Sequence, residues 1–436
     1  MKLDYRRTVC VGFAFFLICA FWQAYDNSIP MLLTHKFHLT QTTSGAIMAL
    51  DNILALFMLP MFGSISDRSR TRWGRRTPYI VFGTIAAAIS FAVLPFADRL
   101  PVFILLLLIS LISMAVFRSP AVALMPDVTI KPLRSKGNAV INLMGSIGGI
   151  LVLAFGILFG TAGAAEDPDI FKGYFFAVVG VMAAALILFV ITVREPRFVM
   201  EMREESRKYG ISDDTEDEGT SGDRGTEEGG KQKHHLSPAE KRSLFFILSM
   251  IVFLFIGYNA VGSKYSVYAT SVLEKDYNLT LMIAQAAAIV SYIPVGIVSS
   301  RFGRKKTILA GIVLLIITFG SIAFMKPESP VLLMNVIFAL AGVAWATVNV
   351  NSFPMVVEMC SEADVGKFTG FYYTESMGAQ IVTPVLSGIL MDLLGLRILF
   401  PYAVVFFILS FAAMLFVRHG DSKPTAKTGL EALEDM

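Results

Sequence analysis

Two aspartates, Asp26 and Asp51, stand inside long apolar runs. An ionisable group there costs about 2.5 to 3.5 kcal/mol to insert into a bilayer, and it is usually kept for a site or a pathway. A carboxylate in lipid can take up a proton or a hard cation at one surface and release it at the other. Asn52, beside Asp51, adds an amide oxygen suited to sodium. Trp22, Asp26 and Ile29 fall on one helical face, with Gln23, Tyr25 and Asn27 around them. An aromatic ring beside such oxygens suits a sugar, whose C–H faces stack on the ring while its hydroxyls donate to carboxylate or amide. Asn142, Tyr258 and Asn259 are further polar residues in apolar segments, with Asn349, Asn351, Tyr372, Tyr373 and Gln380 as weaker candidates, and Glu375 is an isolated third carboxylate. The competing reading for each aspartate is a plain hydrogen bond to a neighbouring helix.

The elements that position these residues follow from composition. With 55% hydrophobic residues, 16% charged, 35 Phe and a mean hydropathy of +0.64, the chain carries more apolar surface than one water-soluble core can bury. Apolar runs of about 20 residues, enough to cross roughly 30 Å of hydrocarbon as a helix, recur at 9–30, 43–65, 78–96, 101–125, 137–160 and 173–193. Six more lie at 243–268, 280–299, 305–325, 329–355, 366–390 and 398–417. The halves repeat at an offset of 233 residues: Tyr25 and Asp26 return as Tyr258 and Asn259, Gly63 to Arg68 as Gly296 to Arg301, and Gly137 and Gly145 as Gly370 and Gly378. The expectation is an all-α integral membrane protein of twelve helices in two pseudo-symmetric six-helix halves, 1–193 and 243–418.

Basic residues crowd alternate loops, at Arg68, Arg70, Arg72, Arg75 and Arg76, at Lys131, Arg134 and Lys136, and at Arg301, Arg304, Lys305 and Lys306. The positive-inside rule places these loops and both termini in the cytoplasm, in an inner or plasma membrane, with Glu166, Asp167 and Asp169 on the opposite face. The first apolar run has no small-residue cleavage pattern and is read as a retained helix. Residues 194–242 are rich in Gly, Asp, Glu and Thr and are expected to be a largely disordered cytoplasmic linker, with 419–436 a cytoplasmic tail. Ser237, Pro238 and Glu240 form a helix-start signal at the linker's end, whereas the adjacent His234 and His235 are read as solvated side chains rather than metal ligands. Cys10, Cys19 and Cys360 suggest no disulfide framework.

The strongest motif is the run from Gly63 to Ile80, in which Gly63, Asp67, Arg68, Gly74, Arg75 and Arg76 resemble the loop between the second and third helices of the major facilitator superfamily. That resemblance implies a conformational latch, in which Asp67 meets a helix N-terminus or an arginine in one conformation and releases it in the other. Arg118 is a candidate partner for Asp67, or for Glu375 in a gate across the halves. The long spacing from Asp67 to Gly74 and the ending through Pro78 resemble the sucrose-transporter branch and the glycoside-pentoside-hexuronide cation symporters. So does the segment from Arg118 to Gly149, with Pro120 seven residues before Asp127. Plant sucrose transporters have an arginine five residues before that aspartate, where this chain has Val122, a departure that weakens sucrose itself as the substrate.

The chain has no phosphate loop, no Cys/His metal constellation and no nucleophile elbow, so it is read as neither an enzyme nor an ATP-driven pump, with no cofactor or metal. The leading expectation is a monomeric secondary transporter that moves a glycoside or related sugar with a coupling cation, a proton before sodium. Its partners are that solute, the cation and membrane lipid, without nucleic acid. The alternatives are a proton-coupled exporter of drugs or metabolites on the same fold and a solute-binding membrane receptor.

Overall fold

The structure, a computed structural model, describes residues 1, 3–210, 237–359 and 365–419. Every element among them is helical, as lipid requires, because a spanning segment must satisfy its own backbone polar groups. Among the described residues, twelve helices are long and apolar enough to cross a membrane. In the first half these are α1 (Tyr5–Lys36), α2 (Gln41–Arg68), α3 (Thr77–Phe96), α4 (Leu100–Asp127), α5 (Lys136–Phe159) and α6 (Ile170–Thr192). A shorter helix, α7 (Glu195–Lys208), follows. The second half contains α8 (Pro238–Ser271), α9 (Tyr277–Phe302), α10 (Arg304–Ala323), α11 (Val331–Val357), α12 (Phe368–Leu394) and α13 (Leu396–Leu415). The helices outrun the apolar segments of the sequence because their ends continue into polar residues: α8 begins on the capping box of Ser237 and Glu240, before its apolar run starts.

Each half has its own apolar core. In the first, Phe91 packs between Phe21 and Phe175 at 4.8 and 4.3 Å between ring centroids; in the second, Phe319 packs on Phe400 and Phe407 at 5.5 and 5.2 Å. Small residues set the closest helix approaches. A Cβ at Gly145 of α5 would stand 2.7 Å from the Cys19 sulfur of α1, and one at Gly63 of α2 would stand 2.9 Å from the Ser119 hydroxyl of α4. Gly378, the counterpart of Gly145, has nothing within 4 Å of such a Cβ, so the repeat in sequence is not a repeat in packing there. Between the halves, α2 packs on α12, α5 on α9 and α1 on α8.

The linker expectation needs correction over 195–208, which form α7 rather than an unstructured chain. Pro196 opens this helix, Arg197 pairs with Glu201 one turn on at 2.7 Å, and Met202 and Ser206 are buried. Its first carboxylate, Glu195, accepts hydrogen bonds from the backbone N–H of Arg75 (2.7 Å), Arg76 (3.0 Å) and Thr77 (2.8 Å), and so caps the start of α3. Gly74 is required beside it, since its φ is +108° and a Cβ there would run into the Glu195 side chain. Arg7 of α1 holds the other end of α7 through Glu205 at 3.0 Å. The remaining linker at 211–236, including His234 and His235, and Cys360 and the tail at 420–436 lie outside the described residues.

Candidate functional site

A cavity of about 2140 Å³ lies between the halves. It reaches the end of the bundle that carries the basic loops, where Tyr5, Lys136, Arg304 and Glu358 line it. At depth it meets Met48, Ser263 and Pro384, where the halves touch: α2 lies so close that a Cβ on Gly45 would strike the Pro384 carbonyl.

The two walls differ in chemistry. On the first half, α1 offers Phe15, Cys19, Trp22 and Asp26, spaced three or four residues apart as one face of a helix must be. Asp51 and Asn52 project from α2 just after a turn at Ala49 separates its first eight residues from the rest. Asp51 therefore sits in the first turn of the second stretch, where a helix N-terminus favours an anion. The Asn52 amide donates to it at 2.6 Å. Arg118 of α4 completes this wall, its guanidinium 5.5 Å from the centre of the Trp22 ring, with Asp51 and Asp26 as the carboxylates that act on it. Arg118 has no hydrogen-bond or ion-pair partner among the described residues, which leaves its five N–H donors to the cavity.

The facing wall is neutral at that depth. Asn259 of α8, Tyr292 of α9, Asn349 of α11 and Gln380 of α12 supply amides and hydroxyls. Phe353, Tyr372 and Tyr373 form an aromatic cluster, with Phe353 5.2 and 6.2 Å from the two tyrosine rings. The indole nitrogen of Trp22 and the side-chain nitrogen of Asn259 are buried without hydrogen-bond partners, two donors on opposite walls.

Of the residues singled out from sequence, Trp22, Asp26, Asp51, Asn52, Asn142, Asn259 and Gln380 line this cavity, as do Asn349, Tyr372 and Tyr373. Others do not. Tyr25 is fully buried against Phe21 and Trp22 in the first core. Asn27 donates to the Gln23 carbonyl at 3.0 Å, and Gln23 lies beside Gly149 and Gln285 where α1, α5 and α9 meet. Tyr258 stacks on Trp345 at 3.6 Å between centroids, Asn351 accepts from Ser299, and Glu375 is half-buried outside the cavity lining. Arg118 is bonded to neither Asp67 nor Glu375 in this structure and lies in the cavity wall that carries Asp26 and Asp51. Tyr292 and Phe353 were missed. The signal available was a polar or aromatic residue one or two places before a helix-interior proline, Pro294 and Pro354.

The residues of the Gly63–Ile80 motif gather at the basic end. Arg76 pairs with Asp67 and with Asp127 (2.9 Å), and Arg75 pairs with Asp127 at 2.8 Å. Arg76 also donates to Ser66 at 2.5 Å. Burial works against the charge of Arg76, and the carboxylates of Asp127 and Asp67 more than offset it, raising its pKa. Arg68 is exposed. The second half has a simpler version, with Arg304 paired to Glu358 at 2.6 Å and Ser300, in the place of Asp67, bonded to its own helix at the Ile297 carbonyl (2.8 Å).

Fold and site define a two-halved membrane transporter. The family model of the Major Facilitator Superfamily matches residues 11–291 and 244–434, and the chain belongs to that superfamily. Among solved structures, it is similar to the nucleoside transporter NupG as the D323A mutant, at 16% identity and a TM-score of 0.66, covering 94% of this chain and 100% of that one. The xylose transporter XylE from E. coli, in an inward open conformation, matches at 15% identity and a TM-score of 0.66 over 98% of both chains. A bacterial homolog of the human lysosomal transporter Spinster, inward-facing and occupied, matches at 15% identity and a TM-score of 0.68 over 96% of this chain and 97% of that one. At these identities the likeness is one of fold.

Proposed function

We propose that the protein is a cation-coupled sugar symporter of the glycoside-pentoside-hexuronide type, working by alternating access in a cell membrane with its basic loops and both termini in the cytoplasm. In that orientation the cavity faces inward. The observation that carries the reading is the division of the cavity, at the depth of Asp26 and Asp51, into a charged wall and a neutral one. Asp51, with Asn52 beside it, is the site that takes up the coupling cation, a proton before sodium, and Asp26 accepts from solute hydroxyls. Arg118 balances the two carboxylates while the cation is absent. A sugar then needs an apolar face to stack on. The Arg118 guanidinium covers one side of Trp22, so the open stacking surface is the Phe353, Tyr372 and Tyr373 cluster, with Asn259, Asn349 and Gln380 in reach of hydroxyls. XylE, a xylose transporter, uses the same fold.

When Asp51 is neutralised, Arg118 loses part of its counter-charge and turns its donors to the solute, so cation and sugar favour the same state of the cavity. That is the requirement for symport. The test is uptake of labelled mono- and disaccharides into proteoliposomes under an imposed proton or sodium gradient. Sugar accumulation under one of the two supports the proposal. Movement of an organic cation with no sugar under either gradient replaces it with the exporter, whose cargo the acidic pair would hold.

A further inference from the structure

The end of the bundle opposite the basic loops is closed by contacts that run between the halves, and one of them is built on two charges. Lys264 of α8 is completely buried and donates to the backbone carbonyl of Gln41 at 2.9 Å. Asp392 of α12 accepts from the backbone N–H groups of Gln41 and Thr42, both at 2.8 Å, and from the Thr42 hydroxyl at 2.5 Å. The first turn of α2 is thus gripped at one residue from both sides, a cation on its carbonyl and an anion on its amide.

Both charges sit where their own helices serve them poorly. Asp392 lies in the last turn of α12, where the helix dipole disfavours an anion, and it is satisfied instead by the N-terminus of α2, where the dipole favours one. Lys264 is an ammonium inside a bilayer-spanning helix with a single hydrogen-bond partner, and Asp392 is the carboxylate that acts on it. The grip also satisfies the donors of α2. Thr40 serves the Thr43 N–H with its side chain and the Ser44 N–H with its carbonyl, so Gln41 and Thr42 depend on Asp392. Glycines let the backbones come this close, since a Cβ at Gly388 would strike the Gln41 carbonyl.

We propose that Lys264 and Asp392 form the gate of this closed end, a charge clamp on the first turn of α2 that is broken and remade in each transport cycle. The inference rests on alternating access and on no particular solute. In the orientation proposed above, the clamp is the outer gate. Ser263, next to Lys264 and lining the cavity, lies just inside it.

The test uses the full chain with its three cysteines replaced and Ser263→Cys introduced, reconstituted in vesicles and treated with a membrane-impermeant maleimide from either side. The sealed side of this parent is identified first, so an inverted orientation changes which side is read and leaves the test of the clamp intact. Asp392→Asn should raise labelling from the sealed side about tenfold, the worth of one charge-assisted hydrogen bond, and lower it from the open side. Lys264→Gln, which keeps a donor but no charge, should act in the same direction and more weakly. Unchanged labelling from both sides in both variants overturns the proposal, and so does a rise on both sides, which reports a loosened fold. If Asp392→Asn does not reach the membrane, Thr42→Val and Gly388→Val replace it. A rise in Thr42→Val supports the clamp, whereas a rise in Gly388→Val alone means that packing, not charge, keeps the end shut, and overturns it.

Discussion

Among the described residues, the ion pairs of Arg75 and Arg76 with Asp67 and Asp127, and of Arg304 with Glu358, at the basic end join segments of one half, whereas polar contacts between the halves gather at the opposite end. At the basic end Asp67, Arg75, Arg76 and Asp127 pair among α2, α4 and the loop before α3, and Arg304 pairs with Glu358 inside the second half. At the other end Lys264 and Asp392 hold Gln41, while Tyr277 and Asn278 both donate to Thr161 at 2.9 Å. Charges at an open end must be satisfied locally, since the facing half has withdrawn; charges at a closed end can be satisfied across the gap. The same difference separates the cavity walls, one carrying Asp26, Asp51 and Arg118 and the other amides and aromatic rings.

The comparison breaks most severely if Arg118 is neutralised. Arg118→Gln leaves the two carboxylates of this wall without their nearby cation, and gradient-driven uptake should fall on the order of 100-fold, the cost of leaving buried charge uncompensated. Uptake within a few-fold of wild type would remove the arginine from the charged wall's function. Next in size, Asp26→Asn replaces a charged acceptor with a neutral one and should weaken sugar binding about tenfold where the carboxyl is ionised, and less where it is protonated. Equilibrium binding across a pH series reads this, and an affinity unchanged throughout would remove Asp26 from the solute site.

Glu195→Gln should cost about 1 kcal/mol of stability by weakening the cap on α3, a lower melting temperature in detergent with little change in the rate per folded molecule. It asks whether α7 belongs to the scaffold of the first half, and an unaltered melt would detach it. The smallest effect is expected from Asp67→Asn, because Arg76 keeps Asp127 and Asp67 itself is half-exposed. Transport should slow about two- to fivefold with solute affinity nearly intact. Equal losses in affinity and rate would contradict a role confined to conformational exchange.

The fold was legible because lipid imposes a length and a composition on each helix, and the twelve apolar runs carry both. The site was legible only along single helices. Trp22 and Asp26 share a face by helical spacing and do line the cavity, but Tyr25, one residue away and about 100° around the helix, turns into the core. The place of Arg118 was not legible because the charges near it, Asp26 and Asp51, lie on α1 and α2, and proximity between helices leaves no spacing to read. Helix α7 was hidden by its polarity, since a surface helix held by Glu195 and Arg7 needs little apolar residue of its own. Lys264 did leave a trace, a lysine in an apolar segment at the end from which the positive-inside rule would exclude it.

The central claim is that the charged wall carries the cation and the neutral wall carries the sugar, and Asp51→Asn separates them. The substitution fixes a neutral side chain at 51, so exchange of labelled for unlabelled sugar across proteoliposomes should continue at a rate within a few-fold of wild type while accumulation under the coupling gradient disappears. Accumulation at the wild-type level in Asp51→Asn would contradict the account and return the coupling role to Asp26 or Glu375.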